Sequence, residues 1–306
     1  MRTDQAMVFA SFAGDALALG AHWIYDTGVI KNDFGRVENF VAPLSGSYHP
    51  TKTKGDFTHY GDQTLLLLRC IAEIGGFDIH RFFFAWRSFF DRYDGYRDKA
   101  TRSSLQVFSS GRSPVDGGST SDDLAGAVRI APLVYLYRDN PAALDSAAAS
   151  QTKMTHNDPS TVLCSRFLAA AAARILHGSP PVDALRAEAN GSFAGTKVQE
   201  WVEAGIASRD TETVEAISRF GQTCHTSEAF PGVVHLVARH GENPEEALVQ
   251  SVMAGGDSAA RNLGAGMLLG AWSGGEAIPS RWVEELNAGE EIFSLLARLD
   301  AGVSVK

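Results

Sequence analysis

Cysteine is scarce in this chain of 306 residues, and the three present (Cys70, Cys164 and Cys224) lie far apart with no C-x-x-C pair. That spacing gives neither a disulfide framework nor a zinc knuckle. Positive charge is also short, with 27 Lys and Arg against 36 Asp and Glu and a net charge of −9. Such a balance disfavours a surface for nucleic acid or for an anionic membrane. Long apolar runs are missing too. Asp15 interrupts the first one, so no signal-peptide pattern forms, and Arg166 and Arg174 make the stretch at 162–176 a poor membrane span. The expectation is a cytoplasmic protein with no membrane and no nucleic-acid partner. Strand-type alternation is nearly absent, and no low-complexity linker or internal repeat divides the chain.

What the chain does have is apolar residues in helical periods. Hydrophobic residues make up 44% and charged ones 21%, a globular balance with ample core. Length alone allows one large domain or two ordinary ones. Met7, Phe9, Phe12, Ala13, Ala16, Leu19 and Trp23 form one helical stripe. A long irregular stretch follows, roughly 32–60, rich in Gly, Pro, Ser, Thr and Lys, and a loop of that length reads as a lid or binding loop. Helical segments are predicted at about 63–74, 78–93, 101–110, 121–138, 141–152, 160–177, 181–189, 196–207, 211–220, 227–240, 244–254, 259–273 and 280–300. Asn140-Pro141, Asp158-Pro159 and Asn243-Pro244 mark starts, while Gly75-Gly76, Gly178, Gly221 and Gly241 mark stops. The whole predicts a single all-α domain over 1–306.

Several polar clusters punctuate these helices. Gly255-Gly256-Asp257-Ser258-Ala259-Ala260-Arg261 opens a small-residue helix, and Gly61-Asp62-Gln63-Thr64 precedes Leu65–Leu68. Each places one Asp at a helix start, either as an ordinary N-cap or as half of a site assembled from both ends of the sequence. In Gly14 to Asp26, a continuous helix puts Asp15 and His22 two turns apart on one face, with Asp26 one turn beyond to orient the imidazole. The alternative is a polar anchor beside Trp23. Ser119 to Pro132 begins as a capped helix start able to take phosphate near Ser121, with Arg129 two turns in as an anion contact or a buried structural Arg. Thr155-His156-Asn157-Asp158-Pro159 is a polar turn that brings His156 to a ligand or simply turns the chain. Cys224 beside His225 does not make a thiol nucleophile, because no third orienting group is identifiable.

In their order these clusters resemble the ADP-ribosylglycohydrolase family, from Gly14-Asp15-Ala16 to Gly264–Ala271 and so over nearly all of the chain. Ala127-Val128-Arg129-Ile130-Ala131-Pro132 and Thr155-His156 match that family's pattern well. The resemblance implies an orthogonal all-α bundle with a central cleft that holds two magnesium ions, binds ADP-ribose and hydrolyses the bond at its anomeric carbon. The motif Ala21 to Asp26 is similar to that of crystallin-like members.

The departures from the family pattern bear on chemistry. Thr-Asp-Asp-Thr is Gly61-Asp62-Gln63-Thr64 here, Asp-Thr-Asp-Thr is Asp257-Ser258-Ala259-Ala260, and the expected Glu falls on His22. Two magnesium ions need hard oxygen donors and about four negative charges, whereas Asp62 and Asp257 alone supply two. At most one magnesium ion, held by Asp62 and Asp257, or none, is expected. Arg261 is the expected substitute for the lost metal charge, pairing with the remaining carboxylates in a site of Arg261, Asp257, Asp62 and His22. Two classes follow. In the first, the chain hydrolyses an ADP-ribosyl or related glycosidic bond, with His22, Asp62 and Asp257 catalytic and Asp15, Ser121, Arg129, His156 and Arg261 lining the ligand site. In the second, it binds ADP-ribose or a nucleotide without turnover, or is a crystallin-like structural protein. The small-residue helix, if exposed, is also a surface for self-pairing; the oligomeric state is left open.

Overall fold

The computed structural model describes residues 1–302. Among them the chain forms α1 (Thr3–Ala18), α2 (Thr27–Phe34), α3 (His59–Ile74), α4 (Ile79–Arg92), α5 (Lys99–Ser109) and α6 (Ala125–Val128). There follow α7 (Ala131–Tyr137), α8 (Pro141–Thr155), α9 (Pro159–Leu176), α10 (Pro181–Asn190), α11 (Lys197–Ala207) and α12 (Thr213–Phe220). The last five are α13 (Thr226–His240), α14 (Pro244–Met253), α15 (Ser258–Ser273), α16 (Ser280–Glu285) and α17 (Gly289–Asp300). Short polar side chains start many of them. Asp26, Thr58, Asp78, Asp98, Asn140, Asp158, Asn243 and Asp257 each accept a backbone N–H at a helix entrance. The all-α expectation holds.

Some boundaries differ from the periodicity. The segment predicted as one helix over 121–138 breaks at Arg129-Ile130, because Pro132 cannot supply the N–H that a continuous helix needs. The 280–300 segment likewise divides into α16 and α17 around Leu286. The helix α2 lies in front of the long loop, which therefore runs from Gly35 to Thr58.

α1 and α15 pack together at the centre, and their glycines explain how closely. A Cβ on Gly266 would lie 2.4 Å from the Ala10 carbonyl oxygen, and one on Gly270 2.6 Å from that of Ala6. Asn262 Nδ2 donates to the Gly14 carbonyl at 3.1 Å across the same seam. Residues 258–271 of α15 are all buried. The small-residue helix is thus a core seam, which corrects the expectation of an exposed pairing surface. One continuous core surrounds it, with Phe9, Phe12, Leu67, Trp86, Phe167, Phe230, Leu263 and Met267 among its members. Among the described residues no helix is long and apolar enough to cross a membrane.

The long loop is pinned rather than loose. Trp282 Nε1 donates to the Glu38 carbonyl at 2.9 Å, and Asn287 Nδ2 donates to Lys54 O and Asp56 Oδ1, each at 2.9 Å. At its end, Thr58 gives its N–H (2.8 Å) and its hydroxyl (2.7 Å) to the two oxygens of Asp15. The loop therefore lies closed over the ends of α1, α3 and α15.

Candidate functional site

The site begins where α1 stops. A single 3-10 turn, Leu19–Ala21, follows Ala18, and His22 leaves it with an extended backbone. The chain is not helical through to Asp26, so His22 does not share a face with Asp15. Trp23 has φ 65°, the one non-glycine with positive φ among the described residues. Its strained backbone is held by a reciprocal pair: Trp23 N–H donates to Gly256 O at 3.0 Å, and Gly256 N–H donates to Ile24 O at 2.8 Å. Gly255 and Gly256 both have positive φ, and a Cβ on Gly256 would sit 2.1 Å from the Gln222 carbonyl oxygen. This crossing brings residues 22 and 257 together.

Asp257 is an N-cap, one of the two readings the sequence allowed, and it also meets a histidine. It caps α15 by accepting from Ala260 N–H at 3.3 Å, and its Oδ1 lies 3.0 Å from His22 Nε2. Tyr60 Oη stands 3.4 Å from the other oxygen. Asp26 does not orient His22 as expected; it caps α2 by accepting from Gly28 N–H at 2.7 Å. With Asp257 accepting the Nε2–H, His22 Nδ1 is the acceptor nitrogen and faces His49 Nε2 at 2.9 Å. Burial lowers the His22 pKa, against the pull of Asp257. Burial also takes His49 down to about 2, helped by repulsion from His22 and His59. His59, from the first turn of α3, completes a buried trio and lies 3.3 Å from Asp98 Oδ2. Burial would raise the Asp98 carboxyl, but His59, with Thr101, holds it well below the carboxylate range. Trp23, Tyr48, Tyr60 and Tyr96 pack edges and faces around these rings.

Asp62 belongs to a different group. It accepts from Lys52 Nζ at 2.6 Å and from Tyr93 Oη at 2.5 Å. Burial raises its pKa and the lysine opposes that rise. Asp15 lies alongside, fully buried and pushed up to about 7 by desolvation, against the two Thr58 bonds. A Cβ on Gly61 would fall 2.4 Å from Asp15 Oδ2, so this carboxylate fills the space that any larger residue at 61 would need. Asp15 positions the start of α3 and presents nothing to a ligand. Gln63 points into the core, where it accepts from Trp86 Nε1 at 2.9 Å and donates to the His59 carbonyl at 3.0 Å.

Arg261 corrects the sequence reading. Its guanidinium is fully buried and donates to the carbonyls of Ser251 (3.1 Å) and Gly255 (2.5 Å), closing the end of α14, with no direct bond to a carboxylate. Arg129 is buried as well and donates to Thr155 Oγ1 at 2.6 Å, while that oxygen also bonds His156 Nδ1 at 2.9 Å. Desolvation brings Arg129 to about 10 and His156 to about 3. Neither reaches an anion from outside in this arrangement. Ser121 lies in the loop before α6, a helix of one turn, and its hydroxyl donates to Asp123 Oδ2 at 2.9 Å; no phosphate-binding helix entrance forms there. Asp122 pairs with His225 at 2.9 Å across an isolated bridge between residues 123 and 225. The Cys224 thiol is pushed far up by burial and by Asp257, so it is no nucleophile. A cavity of about 740 Å³ between α8, α9 and α10 holds none of these residues.

The structure thus joins His22 to Asp257 and adds His49, His59, Lys52, Tyr93 and Asp98, which the sequence reading passed over. His59 and Tyr60 directly precede Gly61-Asp62, and His49 and Lys52 sit in the loop already read as a lid. Only their positions near a motif signalled them.

Buried carboxylates at two helix starts, closed over by a loop in a bundle with no strands among the described residues, define the class of this protein. The ADP-ribosylglycohydrolase family model matches residues 5–305, and the chain belongs to that family. It is 25% identical to crystallin J1A of Tripedalia cystophora over 96% of this chain and 95% of that protein. Crystallin J1B of the same organism is 23% identical over 96% and 95%. An uncharacterised protein of Archaeoglobus fulgidus is 24% identical over 94% and 92%. The solved structure described as an ADP-ribosylglycohydrolase-related protein complex superposes with a TM-score of 0.73, at 22% identity and 98% coverage of both chains, which shows the shared fold.

The donor atoms do not suit the pair of magnesium ions that the resemblance implies. Magnesium takes hard oxygens in near-octahedral geometry. Here the Asp62 carboxylate carries an ammonium, Asp257 carries an imidazole, Gln63 is turned to Trp86, and Ala259 and Ala260 have no donor. The residues able to gather around one ion are instead His22, His49 and His59, and separately Asp122, Asp123 and His225.

Proposed function

We propose that this protein acts on an ADP-ribosyl or related glycosidic bond without magnesium, with His22 as the base that activates water and Asp257 as the group that orients it. The observation that carries this reading is that side chains occupy the carboxylates a metal would need: the Lys52 ammonium pairs with Asp62, and the His22 N–H donates to Asp257. A base needs an acceptor nitrogen aimed at the reacting water, and Nδ1 of His22 is that nitrogen once Nε2–H is committed to Asp257. The water's proton passes to Nδ1 as its oxygen bonds to the anomeric carbon, and the leaving group departs with the bond pair. His22 and Asp257 are fully buried, so the step requires the loop carrying Tyr48, His49 and Lys52 to lift first.

The test is release of ADP-ribose from ADP-ribosylated substrates with and without a chelator. The expected result is turnover that persists under chelation and is unchanged by added magnesium, and is reduced about 10²- to 10⁴-fold in His22→Gln, the usual scale for a lost base. Turnover that requires magnesium would overturn the proposal. A second reading, binding without turnover, is supported by the complete burial of His22 and Asp257 and by the similarity to two proteins named crystallins. It expects calorimetric binding of ADP-ribose indifferent to magnesium, and no hydrolysis.

A further inference from the structure

We propose that His22, His49 and His59 form a binding site for one zinc-class divalent transition ion, and that this ion fastens the 35–58 loop to the ends of α1 and α3. One ring nitrogen from each histidine falls within 4.8 Å of the others, and all three residues are buried. The spacing is short of a finished site by little. Two imidazole nitrogens bound to one zinc at about 2.0–2.1 Å stand roughly 3.3 Å apart in a tetrahedron. His22 Nδ1 and His49 Nε2 are already 2.9 Å apart, sharing a proton that the ion would displace.

Three further observations point to a ligand. First, His49 Nδ1 and His59 Nδ1 are buried without a hydrogen-bond partner, a cost that a folded protein ordinarily avoids. Second, His22 and His59 each have a carboxylate beside them, Asp257 at 3.0 Å and Asp98 at 3.3 Å. Metal-bound histidines characteristically have such partners, which fix the ring and raise its basicity. Third, the charges balance. Three neutral imidazoles bring none, and two buried carboxylates offset a divalent cation in a place where imbalance is costly. Lys52 and Arg261 are the cations that act on this cluster, and neither touches a histidine nitrogen. Nitrogen donors select zinc, cobalt, nickel or copper over magnesium.

This inference goes beyond the proposed function and does not rest on it. An ion on His22 Nδ1 occupies the nitrogen that would act as base, so the metal-bound and water-activating states exclude one another. The experiment is titration of chelator-stripped protein with Co²⁺, with no nucleotide or sugar present. The expected result is visible d–d absorption of low-coordinate cobalt saturating at one equivalent, displaced by zinc and not by excess magnesium. His49→Ala lies in the loop and leaves the helices intact, and it should weaken binding at least about tenfold, as should His59→Ala; Asp98→Asn should cost about 10- to 100-fold. His49→Gln serves as the second variant, with circular dichroism confirming the fold of each. His225→Ala, at the separate Asp122–Asp123–His225 group, should leave the spectrum unchanged. No cobalt spectrum, or one lost in His225→Ala and retained in His49→Ala, overturns the proposal, whatever the outcome of the turnover assay.

Discussion

At Asp62 a lysine performs locally what a cation would otherwise do. Lys52 and Asp62 are each about 15% exposed, so neither is well solvated, and Tyr93 supplies the remaining hydrogen bond. Lys52→Met leaves that carboxylate uncompensated. Breaking a fully buried pair costs about 3–5 kcal/mol, and slight exposure reduces the figure here to about 2–3 kcal/mol. Chemical denaturation should show that loss, and the double variant Lys52→Met/Asp62→Asn should recover most of it. If the double variant is no better than the single one, the pair is not what stabilises the loop. His156 provides a pH signal of known sign. Its folded pKa is about 3, against an unfolded value of about 6.5, so between those values the unfolded chain binds a proton that the folded one refuses. Stability from this group is complete above about pH 6.5 and falls on acidification, by about 1.4 kcal/mol per pH unit. Arg129, Asp98, His59 and Asp122 are the charged or titratable neighbours that act on it. Asp15, raised to about 7, works in the opposite direction, losing stability as pH rises. In His156→Gln the acid limb of a stability–pH curve should be shallower by one proton; an unaltered slope would show that His156 is not held neutral.

The pairing of α1 with α15 shows what a helix can and cannot disclose from its sequence. The small residues at 264–271 were read as a pairing surface and are a buried seam instead, while the N-caps at Asp158, Asn140 and Asn243 placed helix starts correctly. Periodicity did not reveal which neighbour the small residues meet, because that partner lies some 250 residues earlier, as in the Asn262–Gly14 bond. For the same reason Arg261 read as a partner for carboxylates, while tertiary packing aims it at the carbonyls that end α14. Asp257 was legible as a polar residue at a helix start, whereas His22 was read as lying within a continuous helix. That they bond each other depends on the reciprocal Trp23–Gly256 crossing, which no local pattern encodes. The seam itself is testable. A methyl at Gly266 meets backbone at 2.4 Å, and backbone cannot rotate away as a side chain can. Gly266→Ala should therefore destabilise by about 1–3 kcal/mol by overpacking, despite the better helix propensity of alanine. A thermal shift in the stabilising direction would mean that α1 and α15 separate more easily than this packing allows.

Across the whole molecule the 35–58 loop lies over the site, where its His49 and Lys52 bond residues carried by helix ends far apart in sequence. A long loop was legible from length and composition alone, read as a lid or binding loop over about 32–60, since no regular periodicity occupied a stretch too long to be a simple connection. Its anchors were not legible, because Trp282 and Asn287 lie on and after α16, at the other end of the sequence. Those anchors make lid opening a local event with a free energy below that of global unfolding. Asn287→Ala removes the two side-chain bonds at Lys54 and Asp56 and leaves the core untouched. At about 0.5–1.5 kcal/mol per net hydrogen bond, the closed state loses about 1–3 kcal/mol relative to the open one. Hydrogen exchange should then accelerate about 5- to 150-fold for protected amides of 47–56, with α1 and α15 unchanged. Exchange that rises equally in the loop and in α15 would mean that the loop opens only when the whole fold does, and access to His22 would then need global unfolding rather than a lid.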